Sequence, residues 1–240
     1  MTARARQVLF GTFAILVVGI IGYGIFLIAA RPPALTCFDN IQNQNEEGPD
    51  CGGPCSVTCE EKNPAPISIE PLKIIQTKEN TFDIVLQLEN RNQFMGTVGF
   101  DYRLELFDSE DNLITIKNGR SYIWPHEKKF LIESTIVAPT LSSIKARIID
   151  NQWKKFDESD VAPALTVSLK RMGGPETGQI GFYQVEAALK NENLRDYPFV
   201  DINIVLVDAQ NNIIAATKTQ LAQVKSLEER LFKVIWFNPF

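Results

Sequence analysis

The stretch from Val8 to Ala30 constrains this chain more than any other feature, because none of its 23 residues carries a charge. A helix of this length, rising about 1.5 Å per residue, is roughly 34 Å long and can cross a membrane with some tilt. Arg4 and Arg6 precede it, and basic flanks favour the cytoplasmic side. We therefore predict a single-pass cell-membrane protein, with a cytoplasmic tail at 1–7, a transmembrane helix at 8–30 in contact with lipid, and all later residues outside the cytoplasm.

Two other interpretations of the apolar stretch are open. A cleaved secretory signal fits the basic start, but the apolar core of such signals usually has about 7–15 residues. Cleavage after Ala30 would also leave Arg31-Pro32-Pro33 at the new start, which is unfavourable for cleavage. A buried core helix usually shows a polar face, and this stretch has none. Length and uniform hydrophobicity favour an uncleaved anchor.

The four cysteines lie in one short window, at Cys37, Cys51, Cys55 and Cys59. Outside the cytoplasm such a cluster predicts two disulfides, for which three pairings are possible. The window is polar and rich in turn residues, so these bridges must order it. Zinc is the alternative. Zinc ligands usually come as two separate C-x2-4-C pairs, whereas Cys51, Cys55 and Cys59 form one evenly spaced series, and the only histidine, His126, is far away in sequence.

From Cys37 to Cys55 the chain resembles a short motif of bacterial and archaeal surface proteins, C-x-D-x-I-x-N-x-x-E-x-x-x-D-C-G-G-x-C. The resemblance implies a location more than an activity. Oxygen side chains in this window suggest calcium, although the EF-hand-like start has Pro54 where a bidentate Glu is needed, and a solvated polar loop is the alternative. The predicted calcium ligands are Asp39, Asn43, Asn45, Glu47 and Asp50.

After residue 66 the pattern changes to apolar residues at every second position, as in Phe82–Leu88 and Tyr102–Leu106. This period predicts half-buried strands. Further strand-like runs are Leu113–Ile123, Lys128–Ala138 and Ser143–Asp150. No long helical period interrupts them, so we predict an all-β fold behind the membrane helix.

An internal repeat divides the β region. Phe82–Asn92 aligns with Tyr183–Asn193, and Arg103–Ile114 aligns with Asn203–Ile214, including the turns that begin at Asp108 and Asp208. A spacing near 100 residues is typical of one antiparallel sandwich. The predicted organisation is a cysteine-rich segment at 31–62, a Pro-rich linker at 63–66, a sandwich at 67–156, a linker at 157–163 and a second sandwich at 164–240.

The segments Leu104–Asp108 and Ile204–Asp208 are similar to the strand and turn of the FxLYD-type domain of prokaryotic envelope proteins. His126 replaces the glycine of that family's Pro-Gly-Glu turn, and at this turn the second repeat shares only the glutamate, Glu228. The resemblance implies immunoglobulin-like accessory domains with no known chemistry of their own.

Sequence motifs for catalysis do not occur in a suitable context. His126 lies in a predicted turn without an adjacent base, and the S-x-x-K match at Ser142–Lys145 lacks its companion motifs. The net charge of −5 without a basic block disfavours nucleic acid. We predict an extracytoplasmic scaffold or binding protein of a prokaryotic envelope that is not an enzyme. The alternative is a calcium- or metal-dependent envelope sensor or enzyme accessory centred on the acidic cysteine-rich loop.

The last strand of the first repeat, Ser143–Asp150, has no counterpart after Arg230–Phe237 in the second. An uncovered strand edge can pair with a strand from another chain or with a second copy. Coverage by the first sandwich, by the linker or by a simple protected edge is the alternative. We expect the aromatic end of the chain to lie close to this edge, and the predicted partner-binding residues are Val234, Trp236, Phe237 and Phe240.

Overall fold

The structure, a computed structural model, describes residues 3–29, 37–157, 163–175, 177–178 and 180–240. The chain divides into two compact units, residues 1–59 and 60–240. The end of the predicted membrane helix at Ala30, the start of the cysteine-rich segment and most of the predicted linker at 157–163 lie outside the described residues.

Helix α1 runs from Ala3 to Ala29 and contains the predicted apolar stretch up to its penultimate residue. Its span Gly11–Ala29 has a mean hydropathy of 2.5, and none of it is buried within the protein. Among the described residues, one helix is therefore long and apolar enough to cross a membrane. A short second helix, α2, runs from Cys59 to Lys62.

The cysteine-rich segment contains two disulfides, Cys37–Cys55 and Cys51–Cys59. The prediction of two bridges is confirmed, and the structure selects one of the three pairings. Because no cysteine is free, the zinc alternative has no thiolate ligands in this state.

The first seven strands form two antiparallel sheets that pack face to face, and we call them the first sandwich. One sheet has the order β1-β2-β5, and the other has the order β4-β3-β6, with β7 beside the start of β3. The strands are β1 (Ser68–Lys78), β2 (Thr81–Glu89), β3 (Met95–Phe107), β4 (Leu113–Ile123), β5 (Lys128–Val137), β6 (Ser143–Asn151) and β7 (Lys154–Lys155). The predicted inward positions on β2 and β3, such as Ile84 and Leu104, are fully buried in one shared core.

The remaining five strands form the second sandwich. Its sheets are β8-β9-β12 and the two-stranded β10-β11. The strands are β8 (Leu165–Gly173), β9 (Tyr183–Asn191), β10 (Tyr197–Val207), β11 (Ile213–Val224) and β12 (Glu229–Trp236). Their core is built from Leu189, Val200, Ile202 and their neighbours. The all-β fold is therefore confirmed, and no strand in the described part of the chain takes the place of β6 beside β10.

A buried asparagine at the end of β2 and of β9 explains one conserved feature of the internal repeat. The Asn90 amide donates to the carbonyls of Met95 (2.8 Å) and Trp124 (2.9 Å), and its oxygen accepts from the Asn92 backbone N–H. Asn191 makes the same contacts with Arg195, Lys225 and Asn193 in the second sandwich. Each asparagine side chain thus ties two loops to one strand end.

The β3–β4 and β10–β11 turns are also built alike. In each turn an aspartate, Asp108 or Asp208, accepts hydrogen bonds from the backbone N–H and from the side-chain amide of the asparagine four residues later. Hydrogen bonds from Asn112 and Asn212 hold the pKa of both aspartates below their usual range. These contacts explain why Asp and Asn recur in the two turns.

The two sandwiches pack on one another through their outer faces. Val85, Ile132 and Ala216 form a small buried cluster there, which joins β2 and β5 to β11. Beside it the buried Glu133 accepts a hydrogen bond from the hydroxyl of Tyr102. Lys117 lies 3.4 Å and Lys218, from the second sandwich, 3.8 Å from its carboxylate oxygens. Burial together with this hydrogen bond raises the pKa of Tyr102.

We expect Asn90→Ala to destabilise the first sandwich by about 2–4 kcal/mol, because two carbonyls and one backbone N–H lose their partner at a buried position. Hydrogen exchange of the β2 and β3 amides in the full chain measures this loss. Asn118→Ala is the matched control, since Asn118 is exposed, and should change stability by less than about 0.5 kcal/mol. Equal exchange in the two variants would contradict the role of Asn90.

Candidate functional site

The acidic side chains of the cysteine-rich loop bind the loop's own backbone. The Asp50 carboxylate accepts hydrogen bonds from the N–H groups of Asp39 (2.8 Å) and Asn40 (3.0 Å). Asp39 in turn accepts from the Ile41 N–H and from the Asn43 side-chain amide. In this loop, carboxylates therefore accept the backbone N–H hydrogen bonds that carbonyl groups of a neighbouring strand accept in a sheet.

Glu46 occupies the centre of the same loop and is 8% exposed. Its carboxylate accepts hydrogen bonds from the N–H groups of Asn43 (3.3 Å) and Asp50 (3.2 Å) and lies 3.1 Å from the disulfide sulfur of Cys55. Glycine is required at Gly53, which has a φ of +55°, since an added Cβ would lie 2.1 Å from the Asn45 carbonyl oxygen. The folding of the loop thus explains why Glu46 and Gly53 occupy these two positions.

Two of the predicted calcium ligands, Asp39 and Asp50, accept hydrogen bonds from backbone N–H groups of the loop. Among the described residues, the carboxylates of Asp39, Glu47 and Asp50 do not form a cluster with metal-ligand spacing. The group that does combine such donors is Cys37, Glu46 and Cys55, and its two sulfurs are bonded to each other. Asn45 and Glu47 are exposed. The calcium hypothesis therefore gains no ligand geometry from the structure.

The aromatic end of the chain forms a cluster beside β11. Phe240 lies 5.5 Å from the ring of Tyr183 and 6.3 Å from that of Trp236. The Trp236 indole donates to the carbonyl of Ala216 on β11. The edge at which a counterpart of β6 is lacking among the described residues belongs to β10, on the other side of this two-stranded sheet. The expectation that the aromatic end lies close to that edge is therefore corrected. The reason is that β12 belongs to the opposite sheet and its end packs against β11.

The four predicted partner-binding residues differ in accessibility. Val234 is 7% exposed and is part of the β9–β12 pairing, so it cannot contact a partner in this state. Trp236 is half-buried, whereas Phe237 and Phe240 are 63% and 44% exposed. They border a cavity of about 330 Å³ together with Ile75 and its neighbours on β1.

A larger groove of about 740 Å³ runs along β10 between the two sandwiches. The second sandwich contributes core side chains to it, namely Leu165 and Val167 from β8 and Val200 and Ile202 from β10. The first sandwich contributes the opposite wall from β4 and β5. The residues of that wall include Tyr122, Lys129, Phe130 and Leu131.

The charged groups of this wall are already partnered. The Lys129 ammonium lies 3.6 Å from the centroid of the Tyr122 ring and 3.9 Å from the Glu127 carboxylate. Burial lowers the pKa of Lys129, although Glu127 and Asp201 oppose this effect. Burial also raises the pKa of Tyr122. The groove therefore combines apolar side chains with charged and polar ones, as binding clefts do.

Scans of protein-family models, of curated proteins and of solved structures found no match to this chain. The groove along β10 is therefore identified as the candidate site from its geometry. Sequence reasoning missed the β8 side of the groove, although the alternation of Leu165, Val167 and Leu169 was a readable signal.

We expect Asp50→Gly to loosen the cysteine-rich loop, because glycine keeps the left-handed φ of +52° at this position and removes the carboxylate. Charge-assisted hydrogen bonds contribute about 1.5–3 kcal/mol each, so the Asp39 and Asn40 amides should exchange at least roughly tenfold faster. Hydrogen exchange of the full chain is the measurement.

Glu47→Gln is the control for Asp50→Gly and should leave those amides unchanged, since Glu47 is exposed. Millimolar calcium or a chelator should not alter the exchange of the unsubstituted loop either. Calcium-dependent protection that Asp50→Gly removes would contradict this account and support the metal-dependent alternative.

Proposed function

We propose that this protein is a single-pass, membrane-anchored binding protein of a prokaryotic cell envelope. The observation that carries the proposal is the combination of one apolar helix with a cysteine set that is fully oxidised. Disulfides persist in oxidising compartments and are rare in the cytosol. A helix that can cross a membrane, followed eight residues later by a disulfide-bonded Cys37, favours export of everything after α1.

The proposed orientation places the N-terminal end inside the cell. Arg4 and Arg6 precede the apolar span, and basic residues close to a membrane helix are retained on the cytoplasmic side. The disulfides favour the opposite side for Cys37 to Cys59. The two constraints agree on one topology.

Binding is the activity that the exported part supports best. The groove along β10 combines apolar side chains from both sandwiches, interspersed with charged and polar ones, with an unpaired strand edge. Such edges bind extended segments through backbone hydrogen bonds. The cluster of Val85, Ile132 and Ala216 packs the sandwiches together, so both walls of the groove belong to one compact unit.

We expect a reporter that requires an extracytoplasmic location to be active when it is fused after Phe240. A reporter that works only in the cytoplasm should be inactive at the same position. In whole cells a thiol reagent should label the unreduced chain at none of its four cysteines and should label all four after reduction.

Arg4→Glu combined with Arg6→Glu provides the comparison for the topology experiment, because reversing these charges weakens the orientation signal. We expect a mixture of orientations for this variant, read as partial activity of the cytoplasmic reporter. Full cytoplasmic activity of the unsubstituted fusion, or four free thiols before reduction, would overturn the proposed function.

A further inference from the structure

In the first sandwich, β6 covers the side that is uncovered in the second sandwich. In the first sandwich, β6 pairs antiparallel with β3 over Phe100–Phe107. Its alternate residues Ile144, Ala146 and Ile148 pack against the shared core. The corresponding strand of the second sandwich is β10, which pairs only with β11 in the described part of the chain. We call the unpaired side of β10 the open edge.

Apolar side chains on β8 confirm that the core is uncovered on this side. Val167 lies directly opposite Leu189 on β9, and Leu169 lies opposite Ala187. Residues that are directly opposite each other point to the same face, which is here the core face. Even so, Val167 and Leu169 are each 56% exposed.

The core-facing side chains of β10 are also less buried than those of β3. Leu104 and Leu106 on β3, which β6 covers, are fully buried. Their counterparts Ile204 and Leu206 on β10 are only half-buried. A strand in the position of β6 would complete the pairing of β10 and cover β8 at the same time.

We propose that the open edge of β10 binds an extended segment of another exported protein, which pairs antiparallel with β10 and completes the second sandwich. This inference rests on the proposed function, because it names the partner of the same groove. The segment presents apolar side chains at every second position, as Ile144, Ala146 and Ile148 do in β6.

The outer face of β10 specifies the charge of the segment. In the first sandwich, Asp150 of β6 lies opposite Asp101 of β3. The counterpart of Asp101 is Asp201, which is exposed, and the residues that follow it on this face are Asn203 and Val205. Opposite charges stabilise cross-strand pairs. A basic residue opposite Asp201 is therefore favoured.

A single segment fits the open edge better than a second copy of this chain does. The edge is recessed in the groove, because Tyr122, Phe130 and Leu131 of the first sandwich form the facing wall. A second copy would bring its own β10 in an equally recessed position. An isolated strand has no such obstruction and can enter the groove alone.

The experiment uses the full chain in detergent micelles and a peptide with the sequence of Ser143–Asn151. We expect the peptide to bind and to slow hydrogen exchange in β10 (Tyr197–Val207). A peptide carrying Asp150→Lys should bind about twofold to fivefold more tightly, because it places a lysine opposite Asp201. A peptide in which Ile144 and Ile148 are replaced by Asp should not bind.

Leu169→Lys in the protein should weaken peptide binding at least tenfold, because it places a charge where the apolar side of the peptide packs. Leu231→Lys is the matched control, since Leu231 is 72% exposed in the same sandwich but lies opposite Ala188, on the outer face. It should leave affinity unchanged. As a second measurement, the sequence of Leu141–Trp153 appended after Phe240 should raise the melting temperature and block the peptide.

Three results would overturn the inference. One is the absence of peptide binding and of β10 protection. Another is binding that is equally strong in Leu169→Lys. The third is self-association of the chain that protects β10 and that Leu169→Lys abolishes, which would assign the edge to a second copy. None of these results affects the topology and thiol measurements, so the proposed function can fail or hold independently.

Discussion

Each sheet of this protein has one apolar face, and the structure depends on how that face is covered. In the first sandwich the sheet β1-β2-β5 faces the sheet β4-β3-β6 with its short extra strand β7, and Ile84, Leu104 and Leu106 are fully buried between them. In the second, three strands face two, and Leu169 on the core side remains 56% exposed. In the described residues the two copies thus differ by β6 and the short β7, and the candidate site lies where β6 has no counterpart.

The features that could be predicted are those that depend on local sequence. Alternation of apolar residues is a property of the strand itself, so β4 was predicted at the bounds it has, Leu113–Ile123. The turns at Asp108 and Asp208 follow from contacts within five residues. The lack of a β6 counterpart beside β10 in the described residues could be predicted, because the two repeats can be aligned with each other.

Features that depend on distant parts of the chain could not be predicted. The pairing of Cys37 with Cys55 requires the loop's hydrogen bonds to be known. The position of Trp236 against β11 depends on how two sheets pack. The hydrogen bonds that Asp39 and Asp50 accept from backbone N–H groups likewise depend on how their loop folds. In a loop with so little apolar material, carboxylates supply the order that a core supplies elsewhere.

The contact between the sandwiches creates a groove that neither sandwich forms alone. Burying Glu133 is unfavourable unless its oxygens are paired, and Tyr102, Lys117 and Lys218 together provide that pairing. Because Lys218 comes from the second sandwich, the arrangement of the two sandwiches adds one cation beside Glu133. That arrangement also sets the width of the groove along β10. The first sandwich therefore forms the second wall of the groove beside the unpaired side of β10, and residues of both sandwiches line it.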